Sequence, residues 1–143
     1  MRPVTVEDSD ELSLLEMDLF PDNCLNEYTL AREIDLGMGF VVTDNHKIVA
    51  YMLLRGNGYL MDIMRLGVLE KYQGQGLGTR LLRVGMQMAE QTMLTVEAKN
   101  ERALRLYSRH GFQIVGRLLG DTAWVMGHKK RLRQSDYFIG LDR

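Results

Sequence analysis

RLGVLEKYQGQGLGTR, residues 65–80, decides how the rest of the chain is read. It follows an apolar run carrying Met61, Ile63, Leu66 and Val68, and it holds Gly74, Gly76 and Gly78 in a short loop. An amphipathic run then extends from Thr79 to Glu90. That order predicts strand, glycine-rich turn, helix. Glycine lets backbone amides approach a ligand with no Cβ in the way. The first helical turn adds unpaired N–H groups and the positive end of the helix dipole, so the loop is expected to hold a phosphate or pyrophosphate.

Three anion-binding patterns compete for this loop. The dinucleotide fingerprint G-x-G-x-x-G is not matched, because the glycines run G-x-G-x-G and no acidic residue follows at the right distance in a βαβ unit. A P-loop needs Lys-Ser/Thr after its last glycine, whereas Thr79-Arg80 follows Gly78. The third pattern, Q/R-x-x-G-x-G/A, is met by Gln73, Gly76 and Gly78. Downstream lies LTVEAKNERALRLYSRHGF, residues 94–112, a strand-Asn-helix-Leu-Tyr-x-x-x-Gly-Phe block. With these two motifs in this order, the chain resembles the GNAT superfamily of acetyl-CoA-dependent N-acetyltransferases. Its motifs are most similar to those of bacterial enzymes that acetylate the N-terminal alanine of ribosomal proteins.

The resemblance implies an α/β (α+β) fold with a mixed, mostly antiparallel central sheet flanked by helices. Two parallel strands of that sheet splay apart to hold acetyl-CoA as co-substrate. It implies that the backbone of Leu66, Gly67 and Val68 bonds the pantetheine and acetyl groups. The segment Gln73, Gly74, Gln75, Gly76, Leu77, Gly78 and Thr79 would bind the pyrophosphate. Asn100 matches the cofactor-bonding asparagine and is equally suited to cap a helix. Tyr107 matches the tyrosine that protonates the leaving thiolate; on residue type alone it is a core tyrosine of a helix.

The general base is where this sequence departs from the pattern. N-terminal acetyltransferases carry a glutamate at the strand position of Thr95, and threonine is no base, although it can position a water. Asp62, Asp22 and Glu97 are the substitutes. Asp62 ranks first as one acid on an otherwise apolar strand, expected on the face of Leu66, where burial would raise its pKa. Asp22 lies in the FPDN loop, and Glu97 shares a strand face with Thr95. The segment GRLLGDTAWVMG also lacks the tyrosines that clamp a peptide in such enzymes. Trp124 within it is expected in the core.

Composition bounds the alternatives. The 143 residues suit one domain, 1–143, with 129–143 as a C-terminal extension. A net charge of −1 calls for neither nucleic acid nor membrane. Cys24 is the sole cysteine, so no intrachain disulfide forms; a half-buried position and a reducing, cytoplasmic setting are expected. No run approaches the roughly 18 apolar residues of a membrane span. The three histidines, His46, His110 and His128, lack metal-ligand spacing.

Taken in order, the chain is expected to open with a strand over 2–6 and a helix over 10–19 capped by Asp8 and Ser9. A second helix over 25–36 follows, then a hairpin of 40–43 with 47–55, and a strand over 59–69. The helix after the glycine loop should bury Leu77, Leu81, Val84 and Met88. Strands at 93–97, 112–118 and 122–127 surround a helix over 100–109. The order is βααβββαβαββ.

The function expected is acetyl transfer to a primary amine, on a protein N-terminus or lysine, by direct attack in a ternary complex. The alternatives are a small-molecule amine acetyltransferase and a non-catalytic acyl-CoA-binding regulatory module. Nucleic-acid binding through Lys129, Lys130, Arg131 and Arg133 ranks last. The apolar Tyr137-Phe138-Ile139 is expected to pack back on the domain or across a homodimer.

Overall fold

The computed structural model describes residues 1–118 and 120–130. The elements run β1 (Arg2–Pro3), α1 (Ser9–Leu19), α2 (Glu27–Leu36), β2 (Met38–Asp44), β3 (Lys47–Gly56), β4 (Leu60–Val68), α3 (Leu77–Gln87), β5 (Gln91–Glu97), α4 (Glu101–Arg109), β6 (Gln113–Leu118) and β7 (Ala123–Lys129). This is the expected βααβββαβαββ order. The strands form one sheet in the order β1-β2-β3-β4-β5-β7-β6. Every neighbouring pair is antiparallel except β4 with β5, which is parallel.

β3 anchors the sheet. Ile48 to Leu54 are each no more than 4% exposed, as a strand covered on both faces requires. Its alternation divides the core. Ala50, Met52 and Leu54 belong to a larger cluster under α3 and α4, with Leu81, Leu82, Leu94, Val96, Tyr107 and Phe112. Tyr51 and Leu53 face α1 and α2, with Leu12, Leu15, Leu30 and Ile34. α3 presents Leu81, Leu82 and Gly85 to the sheet, leaving the expected Leu77, Val84 and Met88 half-buried at its margins. Gly85 lets the helix approach closely, since a Cβ there would lie 3.3 Å from Met52 Sδ.

One irregularity positions the functional region. Leu53 pairs with Arg65, yet Leu54 pairs with Ile63, so Met64 has no partner on β3. Such a bulge reverses the alternation beyond it. Ile63 and Leu66 therefore both meet the larger core, while Arg65 and Gly67 face α1. Asp62, paired with Arg55 on the α2 side, lies on the opposite face from Leu66 and is exposed. The expectation that Asp62 and Leu66 share a face is thus corrected by a single inserted residue.

Other boundaries moved for local reasons. Only Arg2 and Pro3 of the first strand pair with β2. Asp8 does not cap α1, because its carboxylate accepts from Arg2 at 2.8 and 2.9 Å and from the Thr5 amide at 2.8 Å. The Arg2 guanidinium holds that carboxyl below its ordinary pKa. α2 starts two residues late, at Glu27, with Asn26 capping Thr29 N at 2.9 Å. Cys24 is exposed rather than half-buried. Trp124 is half-buried against the larger core. Residues 131–143, which hold most of the basic and apolar tail, lie outside the described residues.

Leu81 has no exposed surface in the larger core. Leu81→Ala is expected to cost about 2–5 kcal/mol in a denaturant titration; a loss below about 1 kcal/mol would contradict the placement of α3.

Candidate active site

β4 and β5 are neighbours only from Leu60–Gln91 to Ile63–Leu94. Beyond that point β4 stays with β3 as far as Val68, and β5 stays with β7 as far as Glu97. The facing edges are left unpaired. Leu69 N bonds Val49 O at 2.9 Å, so by alternation Gly67 also bonds toward β3. Leu66 and Val68 then turn their amides and carbonyls into the gap. Of the three residues expected to bond a ligand through their backbone, the flanking two are oriented for it. Gly67 instead makes room for α1, since a Cβ there would stand 3.0 Å from Leu19 Cδ1 and from the Tyr51 ring.

The glycine loop closes one end of the gap. Gly74 and Gly76 have φ of +81° and +82°, a left-handed region costly for residues with a Cβ. Space around both is open. The first amide of this turn with a backbone partner is that of Arg80, on Gly76 O at 3.0 Å. The preceding amides at the start of α3 remain available, as at any helix N-terminus. Gln73 Nε2 donates to Val68 O at 2.9 Å, and Tyr72 Oη donates to Asp44 Oδ2 at 2.7 Å. These two bonds tie the loop to β4 and to the β2–β3 hairpin.

α4 supplies the opposite wall. Asn100 caps it, accepting from Ala103 N at 3.2 Å. In its last turn, Tyr107 is 8% exposed and packs against Phe112 with ring centroids 5.8 Å apart. Burial pushes its phenol up to about 12. A phenol of that kind stays protonated near neutrality and is a proton donor rather than a base.

Together these elements enclose a cleft of about 720 Å³. Its lining contains Leu66, Gly67, Val68, Gln73, Gly74, Gly76, Leu77, Gly78, Thr79, Asn100 and Tyr107. Gln75 is exposed and not part of the lining. Leu19, Phe20, Tyr72, Arg102, Arg105 and Arg109 contribute as well, and sequence reading did not single out any of these six. The arginines were legible as a basic stripe at i, i+3, i+7 of a helix; Leu19, the last residue of α1, and Phe20 after it carried no such signal.

None of the candidate bases lines the cleft. Asp62, Thr95 and Glu97 occupy one sheet face, since Asp62 neighbours Met93 in the parallel ladder and Thr95 and Glu97 follow it at period two. All three are exposed. Asp22 comes from the loop between α1 and α2 and approaches Lys99 Nζ at 3.8 Å, while Glu97 approaches the same ammonium at 3.5 Å. A fourth carboxylate was missed: Glu16 on α1 has no exposed surface and accepts from Tyr51 Oη and Arg65. Its sequence signal is its place four residues after Leu12 on the buried stripe of the helix. Among the described residues no cluster of His, Cys, Asp and Glu is placed to hold a metal, and no helix is long and apolar enough to cross a membrane.

Comparison with known proteins matches this architecture. The profile of the acetyltransferase (GNAT) family matches residues 8–112. The mycothiol acetyltransferase of Jonesia denitrificans is 36% identical over 97 residues, covering 62% of this chain and 31% of that protein. The chain spans 19 to 31% of the mycothiol acetyltransferases that it matches. The N-alpha-acetyltransferase RimI of Mycobacterium tuberculosis is 37% identical over 73 residues, 46% of each chain. Among solved structures, the ribosomal-protein-S18-alanine N-acetyltransferase of Escherichia coli superposes with a TM-score of 0.79 at 21% identity, over 93% of this chain and 94% of that one. Arabidopsis thaliana Naa50, in complex with the bisubstrate analogue CoA-Ac-MVNAL, gives 0.74 at 25% identity, over 88% and 95%.

The left-handed Gly76 and the helical Gly78 separate two roles in the loop. Gly76→Ala should cost about 1–2 kcal/mol by denaturant titration. Gly78→Ala, whose Cβ would meet Leu106 at an ordinary 3.5 Å, should be neutral or stabilising. Equal losses at both positions would contradict this loop conformation.

Proposed function

Because the chain belongs to the acetyltransferase (GNAT) family, we propose that it transfers acetyl from acetyl-CoA to a primary amine of a protein, by direct attack in a ternary complex within one domain. The observation that carries this reading is the parting of β4 from β5 after Ile63 and Leu94, beside a glycine loop with free amides. A thioester arm laid in the gap pairs with the backbone of Leu66 and Val68 as an added strand. The pyrophosphate sits on the amides of 74–79 at the start of α3, and Asn100 turns its free amide to the arm. Such a site binds through the main chain and asks little of side chains.

Transfer needs the amine deprotonated, the two reactants held together and the departing thiolate protonated. The ammonium gives up its proton to Asp62, directly or through a water positioned by Thr95. The nitrogen lone pair attacks the thioester carbonyl, and the C–S bond breaks as Tyr107 protonates the sulfur. The second proton lost by the attacking nitrogen returns the Tyr107 phenol to its protonated form, directly or through solvent. Glu97 and Asp22 flank the approach and are the remaining candidates for the proton. The N-terminal amine of a protein is the acceptor favoured by the likeness to RimI and to Naa50 with its peptide analogue. A small-molecule amine is the second reading, favoured by the match to mycothiol acetyltransferases. An exposed free thiol at Cys24 fits a reducing cytoplasm.

The test is CoA-thiol release from acetyl-CoA with three acceptor pools: peptides with free N-termini, N-blocked lysine peptides, and small amino-sugar or polyamine acceptors. Turnover confined to free N-termini supports the first reading, and turnover confined to small amines supports the second. Donor binding without turnover in any pool would point to an acyl-CoA-binding module.

Two variants probe the proton transfers. Asp62→Asn should lower kcat roughly 10²-fold or more; unchanged kcat in a folded variant would remove Asp62 from the mechanism. The raised pKa of Tyr107 keeps its proton in place throughout the neutral range. Tyr107→Phe should therefore lower kcat by a constant factor between about pH 6 and pH 10. Loss of an alkaline limb in that window would contradict the assignment.

A further inference from the structure

The loop between α1 and α2 is fastened at three points to one buried ion pair. Glu16 Oε1 accepts from Leu25 N at 2.9 Å and from Arg65 Nη2 at 2.8 Å. Its Oε2 accepts from Arg65 Nε at 2.9 Å and from Tyr51 Oη at 2.5 Å. The same Arg65 Nη2 donates to Asn23 O at 2.8 Å, and the guanidinium lies 4.2 Å over the Phe20 ring. Phe20, Asn23 and Leu25 thus depend on a carboxylate with no exposed surface and an arginine side chain only 14% exposed. The loop's other tie, Asp22 with Lys99, joins side chains that are 82% and 76% exposed and fixes nothing.

Phe20 of the fastened loop, with Leu19 at the end of α1, lines the same cleft as Leu66 and Gly67. The loop also lies on the sheet face that carries Asp62, Thr95 and Glu97. Stability alone does not call for an ion pair here, since apolar residues of similar volume often hold a core equally well. A bidentate arginine–carboxylate pair differs in fixing direction. We propose that Arg65, held by Glu16, is a positioning residue for the acceptor: it sets the 20–26 loop as the wall against which the incoming amine is aligned. This inference rests on the acetyl-transfer reading and assigns to it a residue pair that touches neither reactant.

The experiment compares wild type, Arg65→Gln and Arg65→Lys by hydrogen exchange and by steady-state kinetics with the best acceptor pool. In Arg65→Gln the amides of 23–25 should lose protection while those of β3 keep theirs. The acceptor KM should rise about tenfold, the equivalent of one lost contact of about 1.4 kcal/mol. The kcat and the apparent affinity for acetyl-CoA should stay within about threefold of wild type, and Arg65→Lys should recover part of the KM. A freed loop with unchanged acceptor KM would overturn the proposal. So would a joint fall in kcat, donor affinity and melting temperature, which marks a merely structural pair. If Arg65→Gln does not fold, Glu16→Gln is read by the same criteria, since its one oxygen still accepts from Leu25 N while its NH2 can donate to Tyr51 Oη. A wild type that acetylates no pool overturns the acetyl-transfer reading instead; loop protection then decides whether the pair fastens the loop, and unchanged protection in the variant overturns that.

Discussion

Met64 is one residue more than β3 can pair with, and the geometry of the cleft follows from where that excess falls. Before it, β4 places Met61 and Ile63 in the core beneath α3. After it, Leu66 and Val68 meet the same core, and Arg65 and Gly67 turn toward α1. A strand without the bulge would carry Arg65 into apolar surroundings and Leu66 away from them. The bulge lies one residue after the last β4–β5 pair, where the strands separate. Bulges bend the strand that carries them and sharpen its twist, which is what an opening between parallel neighbours requires.

The polar groups around the opening differ in what holds them. Glu16 is enclosed and satisfied by donors from β3, β4 and the loop after α1, so removing one partner leaves a charge in low dielectric, at a cost of several kcal/mol. Tyr51 shares this setting: burial first, and then its bond to the Glu16 carboxylate, pushes its phenol upward. The ion pairs of Lys99 with Asp22 and Glu97 are exposed and screened, and they contribute little to stability. The loop after α1 is therefore fixed from within, whereas Asp22 and Glu97 are held only by the exposed ammonium of Lys99. Tyr107 combines both features, with its ring packed on Phe112 and its residue at the cleft surface.

Most of the fold was readable in the sequence because its signals are local and periodic. The run around Ile48 to Leu54, the Asn100 cap and the glycines after β4 each state their conformation within a few residues. The cleft lining was legible for the same reason: glycines and strand-to-helix order are both visible in a string of letters. Of the residues expected there, only Gln75 lies outside the lining. The facing of Asp62 was not legible, since period-two counting assumes an uninterrupted strand and nothing in MDIMRLGV marks Met64 as surplus. Asp8 was misread as a cap because its partner Arg2 lies on another element. Glu16 went unnoticed because its partners, Tyr51 and Arg65, are 35 and 49 residues away.

Main-chain binding of a thioester arm in the β4–β5 gap is the claim on which the proposed function stands. Backbone amide NMR of the 15N-labelled chain, titrated with acetyl-CoA, tests it most directly. The amides of Leu66 and Val68 and those of residues 74–79 should shift together and gain protection, with Asn100 among the responders and β1 and β2 unmoved. Saturation that leaves Val68, Gly76 and Gly78 unchanged, or that perturbs a different face of the sheet, would contradict it.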